Sequence, residues 1–489
     1  MNTTPPLNVL FITLDQFRGD SYGAAGHDLV KTPHLDRLAR EGVRLSRHYS
    51  QAAPCSPGRA ALYTGTYQMN NRVVANGTPH DHAMDNVAWL ARRAGYDPTL
   101  FGYTDQGLDL DDAVGRDDPR LDNYDGILPG FSVGLYIPED QSPFVEWLAA
   151  EGFVVGEGWY EALRGESDRP AEYSLSAFVT NRFNSWLSHQ DAGWFAHVSF
   201  LRPHPPYAAA GHYATMYDPA ATGSAIVAVP HEQRHPLHDL SLQFDSSSAP
   251  TDERELGELR AQYYGMISEV DAQLGRMFAT IEERGEWDST VIIVTSDHGE
   301  QLGDHGLKEK LAFFPQSYHV IGLWRDPRMA NGGRVVSEFT ENVDILASLA
   351  EAIGEEIPRQ SDGSSLYPLL RGEAVTWRTC AHYEWDWRYF FIGRRELAWP
   401  TDRTLSQQNL AVSLGEELAY VQFGDGSFKC FDLAVDPTWR TEVSDPARIL
   451  RAAQEMLIWR QEHLRRETTD MLLTPRRDGA WPERFTSRS

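Results

Sequence analysis

Cysteine is scarce in this chain: Cys55, Cys380 and Cys430 are the only three among 489 residues. An odd number of widely spaced thiols excludes a disulfide framework and suits a reducing compartment. Long apolar runs are also missing. The mostly apolar stretch nearest the N-terminus, Val9 to Leu14, is six residues long, lacks a basic leader and runs into Asp15. It is too short for a signal-peptide core or a membrane span, so the expected location is cytoplasmic, with no membrane partner. Positive charge is in deficit, 44 Lys and Arg against 70 Asp and Glu, a formal charge of −26. That balance argues against nucleic acid and anionic membrane surfaces as partners. An anionic substrate would need cations gathered at its own site. No internal repeat is visible.

What the chain does contain is an alternation of strands and helices. "NVLFITLDQ" (Asn8–Gln16) reads as a buried parallel strand with a polar end. Thr32, Pro33 and Gly42 read as the cap, first residue and stop of a helix. A second helix opens near Pro57 and stops at Gly65, and "MDNVAWLARRAG" gives another before the strand in "DPTLFGYTD". "WFAHVSFLRPHPPY" is a strand broken by prolines. Leu256, Leu259, Ile267, Val270, Leu274, Met277 and Ile281 mark a long helix over roughly Asp252 to Arg284. "TVIIVTSDHGE" is the clearest buried strand and "VDILASLAEAIG" a further helix. The expected fold class is α/β, a large, mostly parallel central sheet with helices on both faces. After Glu373 the texture changes to short strands ("YFFIGRREL", "LAYVQFG", "FKCFDLA") and one helix, a smaller C-terminal lobe of antiparallel sheet and helix. The expected division is a catalytic domain over 1–375, an α+β subdomain over 376–465 and an arm or tail over 466–489. The segment Ala208–Pro250 is too long for a plain connection. It is expected, with the second lobe and optionally a neighbouring subunit, to wall the substrate pocket, where Trp385 and Trp387 either face substrate or fill the core.

In an open parallel sheet, ligands gather at the carboxyl ends of the strands. Two strands here end in Asp15-Gln16 and Asp297-His298. One such aspartate alone is more often a turn former. Two pairs favour a hard or borderline divalent cation: Ca²⁺, Mg²⁺ or Mn²⁺. Cys55 lies just before a helix start, where the dipole favours an anion, and Arg59 lies one helical turn further on. A buried inert cysteine is the plainer alternative. A thiol-phosphatase loop is another, although its cysteine and arginine are usually separated by five residues rather than the three found here.

"CSPGR", continuing into "AALYTG", resembles the Cys-x-Pro-x-Arg signature of the sulfatase family in the alkaline phosphatase superfamily. "LDQFRGD", "TPHLDRLAREGV", "SDHGEQLGDHGL" and "FDLAVDPTWRTEV" are similar to further landmarks of that family, in the same order. The resemblance implies that a formylglycine-generating enzyme oxidises Cys55 to an aldehyde, which hydrates to a geminal diol. One diol oxygen attacks the ester, and the other later expels sulfate. It implies Asp15, Gln16, Asp297 and His298 as ligands of one divalent metal, with modified Cys55 as a further ligand. Arg59 would stabilise the nucleophile, Lys310 would meet the substrate's anionic oxygens, and His204 in "RPHPP" would face the leaving group. Asp304 and His305 are either outer supports or part of a turn.

Many arylsulfatases carry a Lys-x-His pair after the strand that here reads "LFGYTDQG"; this chain has Tyr103, Thr104 and Asp105 instead. Tyr103 and Asn76 resemble the phosphonate monoester hydrolase branch, which commonly has threonine where Asp105 stands. Asn76, Tyr103 and Asp105 are therefore the expected substrate-binding residues. The acidic run from Asp105 to Asp125 reads as a solvated loop. The expected activity is hydrolysis of sulfate monoesters, with phosphonate monoesters and phosphodiesters also accepted. The alternatives are a primary phosphonate monoester hydrolase and a non-catalytic oxyanion-binding relative. A homo-oligomer of two or four copies is expected, with the C-terminal segment either an arm for an intersubunit contact or a disordered tail.

Overall fold

The computed structural model describes residues 7–388 and 404–464, except 116, 117, 119, 121–125 and 157. The strand expected in "YFFIGRREL" and the arm over 466–489 lie outside the described residues.

Eight strands form the main sheet: β1 (Asn8–Leu14), β2 (Val43–Tyr49), β3 (Pro98–Gly102), β4 (Ser132–Tyr136), β5 (Phe195–Phe200), β6 (Thr290–Thr295), β7 (Leu323–Arg325) and β8 (Arg334–Glu341). Their order across the sheet is β4-β3-β5-β1-β6-β7-β2-β8. All are parallel except β7, which pairs antiparallel with both β6 and β2. In the centre, β1 aligns Phe11 with His197 of β5 and Ile12 with Val294 of β6. The apolar run of β1 is continuous because both of its faces are covered. Leu10, Ile12 and Leu14 enter a core with the helices Pro33–Glu41, Leu175–Leu187 and Glu253–Glu283. Val9 and Phe11 enter the opposite core with Leu62, Leu90 and the helix Val343–Ile353. Each fully buried Val, Leu, Ile or Phe contributes about 1.5–3 kcal/mol.

Thr32 precedes the helix Pro33–Glu41, but its hydroxyl does not cap it. The hydroxyl donates to Asp36 and accepts from the Gly23 N–H. The first-turn N–H groups of His34 and Leu35 instead meet the Asp271 carboxylate, at 3.2 and 2.7 Å. A buried carboxylate of the long helix thus serves as the cap.

The smaller sheet is antiparallel, in the order β12-β11-β10-β9: β9 (Ala381–Asp386), β10 (Asn409–Leu414), β11 (Leu418–Phe423) and β12 (Phe428–Asp432). The helix Pro446–Glu462 covers one face through Met456 and Trp459. The other face packs on Phe313, Phe314 and Tyr318, and Trp385 and Trp387 are buried there rather than facing a ligand. Strand β9 is tied to the main sheet by the Glu384 N–H on Gln51 O and the His382 N–H on Glu341. Among the described residues, no helix is long and apolar enough to cross a membrane.

Candidate active site

Five adjacent strands end side by side, and each delivers residues from the loop after its carboxyl end. β1 delivers Asp15 and Gln16, and β6 delivers Asp297 and His298. β3 delivers Tyr103 and Asp105, β5 Leu201 and His204, and β4 Ile137 to Gln141. The helix Cys55–Thr64 closes the floor, with Cys55 as its first residue. It can approach because residue 58 is glycine: a Cβ there would lie 2.4 Å from the Asp297 carbonyl oxygen and 3.0 Å from that of Ala52.

The structure brings the thiol and the charged strand ends together. Cys55 Sγ is 3.3 Å from His298 Nε2, and ligand atoms of Asp15, Cys55, Asp297 and His298 all lie within 4.8 Å of one another. His298 Nδ1 is 3.1 Å from the Gly299 carbonyl. It is therefore the N–H side of the ring, and Nε2 offers a lone pair to the cluster. Asp15 Oδ1 is buried and has no hydrogen-bond donor among the described residues. Burial and the adjacent Asp15 charge push the Asp297 carboxyl up to about 7. Burial likewise works against ionising Asp15, but the surrounding positive charges, Arg59 and Lys310 included, outweigh it and hold that carboxyl low. An orphaned carboxylate oxygen, a second crowded carboxylate and an imidazole lone pair form a donor set that fits one divalent cation.

Gln16 sits in a left-handed conformation at φ 66, a strained geometry that its contacts over-determine. Its N–H donates to Asp297 Oδ1 at 3.2 Å, and its carbonyl accepts from Tyr263 at 2.7 Å. Its amide donates to Glu300, and Oε1 accepts from Lys310 Nζ at 2.8 Å. Glu300 also accepts the Glu309 N–H, which fixes the backbone beside Lys310. Lys310 Nζ also lies 3.0 Å from His204 Nε2. An ammonium only donates, so Nε2 is the acceptor, and Nδ1, 2.7 Å from the Pro205 carbonyl, carries the proton. Burial, then the Lys310 charge, lowers His204 to about 3. For Lys310 itself, burial is outweighed by the anionic groups around it, and its pKa is raised. Burial, followed by the Asp15 charge, drives the Cys55 thiol well above its ordinary range.

Arg59 is fully buried and turns toward the carboxylates: Nε donates to Asp297 at 2.9 Å and Nη2 to Asp15 at 3.1 Å. Nη1 reaches Ser199 Oγ at 2.8 Å and the Tyr103 carbonyl and Tyr63 hydroxyl at 3.2 Å each. The guanidinium lies 4.2 Å over the Tyr103 ring, whose hydroxyl donates to Asp15 at 2.7 Å. Asn76 Oδ1 accepts the Ser56 N–H at 2.9 Å, helping to hold the start of the helix. Asp105, at φ 50, places a carboxylate oxygen 3.6 Å from Arg59 Nε.

Asp15, Cys55, Asn76, Tyr103, Asp105, His204 and Lys310 all line one cavity of about 100 Å³. Its outer wall is Ile137, Pro138, Glu139, Gln141, Trp159 and Leu201. Among the described residues, neither Ala208–Pro250 nor the second lobe contributes to this wall, which corrects the expectation for those residues. The first part of the 208–250 segment covers the long helix, where Gly257 and Gly265 admit the carbonyls of Pro219 and Tyr213, and the later part meets the small sheet, where His235 stacks on Phe423 and the Gln233 carbonyl accepts from Lys429. Apart from Leu201, which directly follows β5, the wall residues come from the loop after β4 and a short helix with no distinctive sequence pattern. Gly58 and Glu300 were visible within the quoted motifs, but only the fold shows what each one touches. Asp304 and His305 lie in a short 3-10 turn, where Asp304 pairs with Arg18 at 2.8 Å and the His305 ring stacks on Phe314.

The Sulfatase family model matches residues 7–355. The multifunctional alkaline phosphatase superfamily protein PehA of Trinickia caryophylli is 36% identical, over 96% of this chain and 98% of its own. The crystal structure of phosphonate monoester hydrolase of Agrobacterium radiobacter matches with a TM-score of 0.84 at 38% identity, covering 95% of this chain and 97% of that one. A phosphonate monoester hydrolase from Silicibacter pomeroyi gives a TM-score of 0.83 at 33% identity, with 94% and 96% covered. A family match that runs from β1 past the helix Val343–Ile353 takes in every residue of the cluster, and the chain belongs to the sulfatase family.

Proposed function

We propose that the chain is a metal-dependent hydrolase of small sulfate and phosphonate monoesters, also accepting phosphodiesters, with Cys55 used as formylglycine. The observation that carries this reading is the convergence of Cys55 Sγ, the unpartnered Asp15 Oδ1, Asp297 and His298 within 4.8 Å. Asp15, Gln16, Asp297 and His298, with position 55, would hold one Ca²⁺, Mn²⁺ or Mg²⁺ ion. Such an ion polarises the ester and lowers the cost of ionising an oxygen nucleophile. Formylglycine, made by a formylglycine-generating enzyme, supplies a hydrated aldehyde in place of the thiol.

The chain's own side chains then divide the remaining work. Arg59 keeps the two carboxylates apart and oriented, and Tyr103 fixes Asp15 from the other side. Lys310 spends two of its three donors on Gln16 and His204, with the Glu309 carboxylate 3.8 Å away, and its third donor would serve an ester oxygen in the cavity. His204 accepts from Lys310, so the proton reaching the leaving group is shared by the pair rather than owned by the imidazole. Asn76 contributes its amide N–H₂ group as a donor at the cavity wall. The similarity to two phosphonate monoester hydrolases at 33–38% identity favours phosphonate monoesters as the better substrates.

The test is turnover of an aryl sulfate and an aryl phosphonate monoester by metal-loaded wild type, Cys55→Ala and Asp297→Asn. Loss on the order of 10³-fold or more in both variants is expected, because each removes a group that acts with the others as a unit. Near-native turnover in either variant refutes the assignment.

A further inference from the structure

We propose that Asp105 is a charge filter that biases this site toward singly charged esters and against doubly charged ones. The inference rests on the cavity being the ester site. Asp105 follows β3 in the left-handed region at φ 50, a backbone conformation that few residues with side chains adopt and that aspartate tolerates better than most. It lines the cavity beside Cys55, Asn76 and Lys310. Its carboxylate is the most distant of the three around Arg59. That guanidinium makes hydrogen bonds with Asp297 at 2.9 Å and Asp15 at 3.1 Å, while Asp105 stays at 3.6 Å. Asp15, Asp105 and Asp297 thus face two cations, Arg59 and Lys310. Glu139 adds negative charge at the exposed mouth.

With Glu139 and with Glu309, whose carboxylate lies 3.8 Å from Lys310 Nζ, the carboxylates around the cavity outnumber the two cations, so a second charge on a ligand meets fixed negative charge. Repulsion from a fixed carboxylate scales with ligand charge, so a dianion suffers twice the penalty of a monoanion of the same shape. Sulfate monoesters, phosphonate monoesters and phosphodiesters are monoanions. Phosphate monoesters are dianions above their second ionisation, near pH 6. Removing the Asp105 charge would relieve a dianion more than a monoanion.

The experiment uses the metal-loaded full chain and an isosteric pair of inert ligands, benzylsulfonate (one charge) and benzylphosphonate (two charges at alkaline pH). Both are measured by calorimetry. Beside them, kcat/KM is measured for para-nitrophenyl sulfate and para-nitrophenyl phosphate. In Asp105→Asn the ratio of dianion to monoanion affinity should rise about tenfold or more, and the kcat/KM ratio should move the same way. Asp105→Glu, which keeps the charge, should keep the ratio of dianion to monoanion affinity near the wild-type ratio whatever it does to either affinity alone. Asp105→Ser serves the same comparison if the asparagine variant does not fold. An unchanged affinity ratio in a folded, metal-binding variant overturns the inference. If wild type turns over no ester at all, the functional reading fails instead, and the binding ratio still decides the role of Asp105.

Discussion

Replacing Gly58 with alanine probes the contact on which the site geometry depends. The new methyl would stand 2.4 Å from the Asp297 carbonyl oxygen and 3.0 Å from that of Ala52. Carbon atoms essentially never sit closer than 3.0 Å in such contacts, so the helix and the Asp297 loop must separate by at least the difference, 0.6 Å. Both obstacles are backbone atoms, and no side chain can swing aside. Overpacking of this kind costs about 1–3 kcal/mol. Alanine in a helix interior returns about 1 kcal/mol relative to glycine, so the net stability loss is roughly 0–2 kcal/mol. Catalysis should suffer more, because the helix carries Cys55 and Arg59 while Asp297 stands across the gap. A displacement approaching 1 Å costs on the order of 10²-fold in rate. The assay is kcat/KM at saturating metal, apparent metal affinity and thermal unfolding on the same preparation. The expected result is a ten- to hundredfold loss of turnover with weakened metal binding and a nearly unchanged melting temperature. Full turnover with unchanged metal affinity would refute the claim that the helix and the Asp297 loop are geometrically coupled.

His204→Ala should slow esters of poor leaving groups more than activated aryl esters, steepening a plot of log kcat/KM against leaving-group pKa. A uniform loss across the series removes the proton-sharing role of the Lys310–His204 pair. Trp159→Ala should raise KM for aryl esters several-fold with a smaller change in kcat, since Trp159 touches only the outer wall. A change confined to kcat would contradict that placement. Stability should fall on the acid side. Burial lowers His48 to about 4 and His197 to about 3, so below pH 6.5 the unfolded chain binds protons that the folded chain refuses. Their stabilisation is complete above pH 6.5 and is lost as pH falls, at about 1.4 kcal/mol per pH unit for each histidine. Denaturant titrations between pH 7 and pH 4 should show this slope, and His48→Gln should flatten it by one proton; an unaltered slope in that variant contradicts the assignment.

The central strands were legible in the sequence because burial on both faces leaves an uninterrupted apolar run, as in "NVLFITL" and "TVIIVT". The outer strands were not. In β8 the residues Arg334, Val335, Ser337 and Glu338 are exposed or partly so, and β7 is only three residues long. The helix Pro33–Glu41 was legible from Pro33 and Gly42, but its capping group is Asp271, more than two hundred positions away in sequence, which no local pattern records. At the site, the residues at strand ends and at the helix start could be read from type and spacing. The direction of Arg59 could not: helical spacing allowed a return toward Cys55, whereas two carboxylates compete for it more strongly. The cavity wall was also invisible, because Ile137, Pro138 and Trp159 are ordinary apolar residues until the fold sets them opposite Cys55.

The central claim is that the nucleophile at position 55 is no longer a thiol in the working enzyme. Peptide mass spectrometry of residue 55, on preparations of graded specific activity, tests this most directly. The account requires a peptide in which sulfur is replaced by oxygen with the loss of two hydrogens, in a fraction that rises in proportion to activity. A fully active preparation carrying only the unmodified Cys55 thiol would contradict it.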